Sequence, residues 1–232
     1  MIPLRDDNPS SLTPLVSWTV MGACIVVFLW QLSLGPQGGQ VAVFALGVIP
    51  AVLFDHAALP ADVALVPPLV TVFTSMFMHG GWLHLIGNML YLWIFADNVE
   101  ASMGHLRFVL FYLLCGVAAV LAQALPDTTS QIPMIGASGA ISGVLGAYML
   151  LHPHARVLVL VPLGYMSQML YLPAGAVLGL WFGLQLLSSA LSPAGEGGVA
   201  FGAHIGGFVA GAALIPLFKY RRVPLWGRRA RR

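Results

Sequence analysis

The chain consists of long apolar runs separated by short polar stretches rich in Gly, Pro and Asp. Several runs reach the roughly 20 residues that a helix needs to cross about 30 Å of hydrocarbon. Hydropathy and turn residues predict six spans, at residues 14–34, 81–99, 105–125, 138–151, 172–191 and 203–220. No alternating ten-residue pattern points to a barrel. The pattern therefore predicts an all-α, polytopic bundle of six transmembrane helices.

Two further apolar segments are too short to span. Residues 156–163 are interrupted by Pro162 and Gly164, which predicts an interfacial hairpin or turn, with a seventh crossing as the alternative. Residues 40–54 lie in the long loop between the first two spans. Fifteen residues do not cross a bilayer comfortably, so this segment is expected to be interfacial or re-entrant.

The composition agrees with a membrane protein, since 59% of the residues are apolar and only 8% are charged. The first apolar run follows a polar start at Arg5 and is as long as a true span, so an uncleaved first span is expected rather than a signal peptide. Cys24 and Cys115 both lie within apolar runs. They are expected to act as small core residues rather than as a disulfide.

Charge gives the predicted bundle an orientation. With six crossings, residues 1–13, 96–104, 152–171 and 219–232 share one side, and Arg107 can reach that side from the third span. All ten basic residues then lie there: Arg5, Arg107, Arg156, Lys219, Arg221, Arg222, Arg228, Arg229, Arg231 and Arg232. On the opposite side the charged residues are all acidic, namely Asp55, Asp62, Asp127 and Glu196. The positive-inside rule makes the basic side cytoplasmic.

This topology divides the chain into a cytoplasmic N-terminal segment (residues 1–13), a six-span domain (14–220) and a basic cytoplasmic tail (221–232). The tail is also basic enough for nucleic-acid binding. Its position directly after a span is better explained by orientation and contact with anionic lipids, so no nucleic-acid partner is expected. A bacterial inner membrane is the simplest setting for this compact chain.

Four polar residues fall at one depth of the predicted bundle. Even-numbered spans run inward, so their first turns lie near the outer face, and these turns contain His84, Asn88, Ser138 and His204. Taken singly, each has a structural explanation, such as a bond to a helix carbonyl, interhelical contact or a satisfied core histidine. Their coincidence at matched depth favours a functional site, because polar groups within lipid are costly.

The residue types predict nucleophilic catalysis by Ser138 with His204 as its base. The acidic residues map to loops or span ends, so a dyad is expected rather than a triad. His84 and Asn88 lie on one helical face and can both donate hydrogen bonds, which suits an oxyanion hole together with the Ser138 amide. Ser142, one turn deeper, is the weaker candidate nucleophile.

Glycines support both parts of this prediction. Gly136 and Gly139 keep the backbone around the serine open to a substrate carbonyl. Gly139 and Gly143 in the fourth span, and Gly207 and Gly211 in the sixth, are spaced four apart, which lets two helices approach closely enough to bring Ser138 and His204 within hydrogen-bonding distance. His79 and His84 do not have zinc-ligand spacing, so neither a metal nor another cofactor is predicted.

Together these motifs resemble the rhomboid family of intramembrane serine proteases. The matching features are His79 with His84-x-x-x-Asn88, Gly136-x-Ser138-Gly139, and Ala203-His204-x-x-Gly207-x-x-x-Gly211. The resemblance implies a six-helix core, Ser138 as nucleophile, His204 as base, and His84, Asn88 and backbone amides as the oxyanion hole. It also implies membrane-anchored protein substrates, cut in or near a transmembrane helix that must unwind locally before attack.

Two positions depart from the family pattern. Residues 69–72 read Leu-Val-Thr-Val where many members have a Trp-Arg pair, and Ser142 stands where many have a tyrosine against the histidine. The alternatives to an enzyme are an inactive rhomboid-like protein that binds membrane helices and a small transporter or channel. Clustering of the polar residues at one end argues against a transport path. The fifth span and the loop 192–202 are expected to admit substrate.

Overall fold

The computed structural model describes residues 1–163, 166–191 and 198–227, and it is mainly helical. A 3₁₀ turn at Ser75–Phe77 precedes the longest helix. The helices are α1 (Leu15–Ser33), α2 (Gly35–Leu46), α3 (Pro50–Leu53), α4 (Pro68–Thr74), α5 (Trp82–Met103), α6 (His105–Ala124), α7 (Ser138–Leu151), α8 (Ala174–Leu191) and α9 (Phe201–Phe218).

Helices α1, α5, α6, α7, α8 and α9 occupy the six predicted spans. Of these, α1, α6, α8 and α9 are long and apolar enough to cross a membrane. Helix α5 joins them if it is counted with the segment Pro68–Phe77, from which it is bent by 81°. Helix α7 is apolar but has only 14 residues. Four to five crossings therefore follow from length and composition among the described residues, and six crossings stay a prediction.

A small antiparallel sheet adds to the all-α fold that the sequence predicts. Its strands are β1 (Ile2–Asp6), β2 (Arg156–Leu163) and β3 (Met166–Pro173), in the order β1-β2-β3. The hairpin interpretation of residues 156–163 is confirmed, because β2 pairs with β3 along its length. Val157 and Val159 are fully buried and alternate with more exposed neighbours, as expected for a strand with one face on the core. Helix α8 consequently begins at Ala174, two residues later than predicted.

Helix α7 is the centre of the bundle. It makes its most extensive contact with α9 and also lies against α5 and α6. It is buried over nearly its whole length, from Gly139 to Tyr148. Cys24 and Cys115 are both free and fully buried in the surrounding core, which confirms their predicted role as packing residues.

The loop between α1 and α5 folds over the end of the bundle where α7 begins. It contains α2, α3 and α4, and it is joined to the residues before α7 by a bridge between Val48 and Met134. The Ala51 amide also donates to the Ser130 carbonyl at 2.9 Å. Helices α2 and α3 together cover most of the segment at 40–54 that was expected to be interfacial or re-entrant.

The opposite end of the bundle has a buried carboxylate that joins three helices. Glu100 is completely buried and accepts hydrogen bonds from the Val16 amide (3.0 Å) and from the Ser17 amide (2.9 Å) and hydroxyl (2.6 Å). His105, the first residue of α6, lies 2.6 Å from the same carboxylate. The carboxylate thus satisfies amides at the start of α1 that Pro14 at the N-cap leaves unpaired. The second span was predicted to end at residue 99, but α5 continues to Met103 and includes Glu100 within it.

A second polar contact at this end attaches β1 to the bundle. The Tyr148 hydroxyl of α7 donates to Asp6, and Asn98 of α5 donates to the Asn8 carbonyl at 3.1 Å. Burial raises the pKa of the Asp6 carboxyl to about 6, and the nearby charges of Asp97 and Asp7 act in the same direction. The Tyr148 hydrogen bond opposes this shift of the pKa without cancelling it.

The raised pKa predicts how stability depends on pH. The Asp6 carboxyl binds a proton more readily in the folded than in the unfolded chain. Its contribution to the free energy of unfolding is therefore complete below about pH 3.8 and is lost as the pH rises through about 6. We therefore expect Asp6→Asn to raise the melting temperature at pH 7.5 relative to the unmodified protein, with the gain shrinking towards pH 4. Thermal unfolding in detergent between pH 4 and 8 measures this difference.

Asp62→Asn controls for the change in net charge, because Asp62 is an exposed residue of a loop. A gain for Asp6→Asn that stays constant across the pH range, or a loss of stability at pH 7.5, would contradict the prediction.

Candidate active site

The start of α7 is held in a sharply constrained backbone. Gly136 has a φ of +125°, a backbone conformation that residues other than glycine rarely adopt. Its amide donates to the Ser75 carbonyl at 2.9 Å. Ser138 follows as the first residue of the helix. Its amide therefore belongs to the first turn, where backbone N–H groups have no intrahelical partner and the helix dipole is positive.

The hydroxyl of Ser138 faces the imidazole of His204. Ser138 Oγ and His204 Nε2 lie 2.8 Å apart, within the 2.6–3.2 Å expected for a nucleophile and its base. The two residues come from α7 and α9, and both are partly buried. A hydrogen bond of this length lets the imidazole accept the hydroxyl proton.

Glycines set the distance between these helices. A Cβ on Gly207 would lie 2.0 Å from the Gly139 carbonyl oxygen, and a Cβ on Gly211 would lie 1.9 Å from that of Gly143. Real atoms do not approach so closely, so the two backbones are in direct contact at both levels. The close approach predicted from the glycine spacing is therefore present in the structure, and it places the first turn of α9 beside the first turn of α7.

His84 of α5 lies beside the start of α7, and Asn88 follows one turn later on α5. A Cβ on Gly136 would lie 2.7 Å from His84 Nε2 and 3.6 Å from Ser138 Oγ, so these two groups flank Gly136 closely. The Gly80 amide donates to His84 Nδ1 at 3.3 Å, which leaves Nε2 of the neutral ring to carry the proton and donate. The ring is thus presented with a donor towards the serine.

Asn88 contributes a donor with no partner. Its side chain is only 8% exposed, and no hydrogen-bonding group among the described residues is within reach of its Nδ2. An unpaired buried donor costs roughly 1–3 kcal/mol. A buried amide donor that is left unpaired one helical turn after His84 is suited to an oxygen atom supplied from outside the chain.

His79 packs against His84. Gln31 of α1 binds both backbone groups of His79, accepting from its amide at 3.0 Å and donating to its carbonyl at 3.2 Å. The ring of His79 is fully buried and contacts that of His84 edge-on at 5.1 Å between centroids. These contacts let His79 support the ring of His84.

Helix α8 supplies two residues beside His204 that sequence analysis did not identify. Gln185 Oε1 lies 2.9 Å from His204 Nδ1, and the Trp181 ring lies 5.9 Å from the imidazole. Trp181 packs against the His204 ring. Ser142, which stands where many rhomboid proteins have a tyrosine against the histidine, is too small to make such a contact. Gln185 could have been found as a polar residue near the outer end of the fifth predicted span, at the same depth as Ser138.

Ser142 is engaged elsewhere. Its hydroxyl donates to the Ser138 carbonyl at 2.6 Å, and the residue is only 1% exposed. Ser142 therefore lacks the access that a nucleophile needs, and among the described residues its hydroxyl bonds a carbonyl and not a base. Of the loop 192–202, expected to help admit substrate, residues 192–197 lie outside the described part of the chain, as does Glu196.

Comparison with known proteins identifies relatives over most of the chain. The model of the Rhomboid domain family matches residues 67–221. Rhomboid protein 1, mitochondrial, of Saccharomyces cerevisiae is 31% identical over 185 residues, which cover 75% of this chain and 49% of the yeast protein. The Rhomboid protease GluP of Bacillus subtilis is 34% identical over 141 residues, or 61% of this chain and 25% of its own length. RHOMBOID-like protein 5 of Arabidopsis thaliana is 35% identical over 74 residues, which cover 32% of this chain and 24% of the Arabidopsis protein.

The chain thus spans about half or less of the length of these relatives. Their names include a protease, a rhomboid-like protein and a mitochondrial protein. The apolar helices and these relatives establish a multi-pass membrane protein, but they do not support the expected bacterial inner membrane over other membranes.

Alanine substitutions at the α7–α9 contact test how the site is assembled. Gly207→Ala and Gly211→Ala would each drive a methyl group into a backbone carbonyl, so the helices must separate. We expect each variant to lose roughly 1–3 kcal/mol or more of unfolding free energy, as overpacked cores do. Unfolding of the protein in mixed micelles measures the loss.

Gly179→Ala and Gly183→Ala in α8 are the matched controls, because no atom of the described residues lies within 4 Å of the added methyl group. These variants should be neutral or slightly more stable. Equal effects at all four glycines would show that the backbone contact is not what holds α7 and α9 together.

Proposed function

Because this chain belongs to the rhomboid family, we propose that it is an intramembrane serine endopeptidase that cleaves membrane-anchored proteins. The observation that carries the proposal is the 2.8 Å contact between Ser138 Oγ and His204 Nε2. It supports a hydrolytic reaction because a serine hydroxyl becomes a competent nucleophile only when a base takes its proton.

In the proposed reaction, Ser138 Oγ attacks the carbonyl carbon of the scissile peptide bond while its proton passes to His204 Nε2. The resulting tetrahedral oxyanion collapses, the C–N bond breaks, and His204 gives the proton to the leaving amine. Water then attacks the acyl-enzyme with His204 again accepting a proton, and Ser138 is released with its hydrogen restored. Within the described part of the chain, the hydrogen-bonding partners of the His204 ring are Ser138 and Gln185, so the proposed reaction uses a Ser-His dyad without a carboxylate.

The oxyanion hole would consist of three donors around Ser138. The unpaired Nδ2 of Asn88 supports this role most directly, since the developing negative charge would satisfy a buried donor that has no partner among the described residues. His84 Nε2 and the Ser138 amide at the positive end of α7 are the other two. Donors fixed before the reaction stabilise the transition state without a cost of reorganisation.

The shortness of α7 supports cleavage beneath the membrane surface. Fourteen residues of helix are about 21 Å long, whereas the hydrocarbon core is about 30 Å thick. If the far end of α7 lies at one surface, Ser138 is several ångströms below the other. A soluble peptide would not partition to that depth, whereas a membrane-anchored protein whose helix unwinds locally would.

We further propose six crossings, with residues 1–13 and the basic tail 221–232 on the cytoplasmic side of the domain at 14–220. The described basic residues support this orientation through their contacts at the sheet end of the bundle. Arg5 bonds the Tyr171 hydroxyl, Arg107 lies over the ring of Tyr220, and Arg156 lies 3.8 Å from Asp7. Ser138 lies at the other end of α7, towards the extracytoplasmic side.

Cleavage of a single-span protein tests the proposed activity. In lipid vesicles with a fluorescent single-span substrate, we expect the unmodified protein to cleave it, and Ser138→Ala or His204→Ala to lower kcat by roughly 10³-fold or more. Ser142→Ala is the matched control and should retain cleavage, because the Ser142 hydroxyl bonds a backbone carbonyl and not His204.

Persistent cleavage in the Ser138→Ala variant would refute the assignment of the nucleophile. If the unmodified protein binds several single-span substrates without cutting any, it is instead an inactive family member that captures membrane helices.

Reporter fusions test the proposed topology. A green fluorescent protein fused after Arg232 should fluoresce and an alkaline phosphatase at the same position should be inactive, because both reporters would be cytoplasmic. Fusions of the same reporters after Asp127 should give the reverse pattern. Phosphatase activity after Arg232 would overturn the orientation.

A further inference from the structure

The base of the proposed dyad has a second hydrogen-bonding partner. His204 Nδ1 lies 2.9 Å from Gln185 Oε1, while Nε2 on the other side of the ring lies 2.8 Å from Ser138 Oγ. The Trp181 ring, one turn before Gln185 on α8, lies against the imidazole at 5.9 Å. Helix α8 therefore contacts both an edge and a face of His204.

The amide oxygen of a glutamine can only accept a hydrogen bond, so His204 Nδ1 must carry the proton of the neutral ring. Nε2 then has its lone pair free and directed at the serine hydroxyl. With the proton on Nε2 instead, the ring would donate to Ser138 and could not take its proton. The position of this single proton decides whether the imidazole is a base towards Ser138.

We propose that Gln185 is the positioning residue that selects the reactive tautomer of His204, a role that a carboxylate has in Ser-His-Asp enzymes. The proposal rests on the proposed function, since it assigns a role within the same dyad. Gln185 acts through His204 and does not itself contact the reacting atoms.

A neutral amide fits the surroundings of α8 better than a carboxylate would. Leu184 and Leu186, on either side of Gln185 in sequence, are 51% and 46% exposed, so this part of the helix borders lipid. An ionised side chain at such a depth carries a large desolvation cost, whereas an amide oxygen supplies the acceptor without a charge.

Kinetics of Gln185 variants in lipid vesicles form the first test. Gln185→Leu removes the acceptor while keeping a side chain of similar size, and we expect kcat to fall by roughly 10- to 100-fold with KM within about twofold, because substrate binding is untouched. Gln185→Glu keeps an acceptor at the same reach and should retain a higher kcat than Gln185→Leu. Leu186→Ala, next to Gln185 and exposed, should leave kcat unchanged.

Melting temperatures separate positioning from folding. A low kcat for Gln185→Leu at a melting temperature equal to that of the unmodified protein supports the proposal. An unchanged kcat for Gln185→Leu, or a Gln185→Glu variant no better than Gln185→Leu, would overturn it.

Nitrogen NMR gives a readout that does not depend on cleavage. In protein labelled with ¹⁵N-histidine in bilayers, the His204 signals are those lost on His204→Ala, among the seven histidines of the chain. We expect Nδ1 to be protonated in the unmodified protein and the proton to move towards Nε2 in Gln185→Leu. Protonation of Nε2 in the unmodified protein, or no change in the variant, would contradict the proposal.

The two tests distinguish the proposals from each other. If no substrate is cut but the tautomer responds to Gln185→Leu, the positioning role stands and the enzymatic function fails. If Ser138-dependent cleavage occurs and the tautomer does not respond, the role of Gln185 alone is wrong.

Discussion

Helices α7 and α9 meet backbone to backbone, and the geometry of the site depends on this contact. In hydrocarbon there is little hydrophobic drive to bring helices together, so close packing and hydrogen bonds must do so. Gly207 against Gly139 and Gly211 against Gly143 leave no room for a single methyl group. A wider separation of the helices would take His204 out of reach of Ser138, however well the rest of the bundle folded.

The polar groups at the two ends of the bundle differ in how fully they are satisfied. At the sheet end, Glu100 accepts bonds from two amides and a hydroxyl of α1, and Tyr148 bonds Asp6, so these groups fix α1 to α5 and β1 to α7. At the other end, Gln31 satisfies the backbone of His79, but Asn88 Nδ2 is left without a partner among the described residues. An unsatisfied donor weakens a fold unless something else binds it, which is the behaviour expected where a substrate oxygen must be received.

Much of the fold could be predicted from the sequence because lipid imposes a simple rule on it. Apolar runs must be helical in hydrocarbon, so the helices α1, α6 and α7 begin and end within about one residue of their predicted positions. The proximity of Ser138 and His204 followed from glycine spacing. The sheet did not follow, because β1 finds its partner more than 150 residues away and pairing of that kind leaves no local signal. Gln185 was missed because a neutral amide in an apolar run resembles a packing residue until its neighbours in space are known.

An experimental structure of the protein in lipid, solved after reaction with a fluorophosphonate, would test directly whether Ser138 is the nucleophile and Asn88 and His84 are its oxyanion donors. We expect a covalent bond from Ser138 Oγ to phosphorus, with the phosphoryl oxygen about 2.7–3.1 Å from Asn88 Nδ2 and directed also at His84 Nε2. Modification of another residue, or an adduct on Ser138 whose oxygen points away from Asn88, would contradict this expectation.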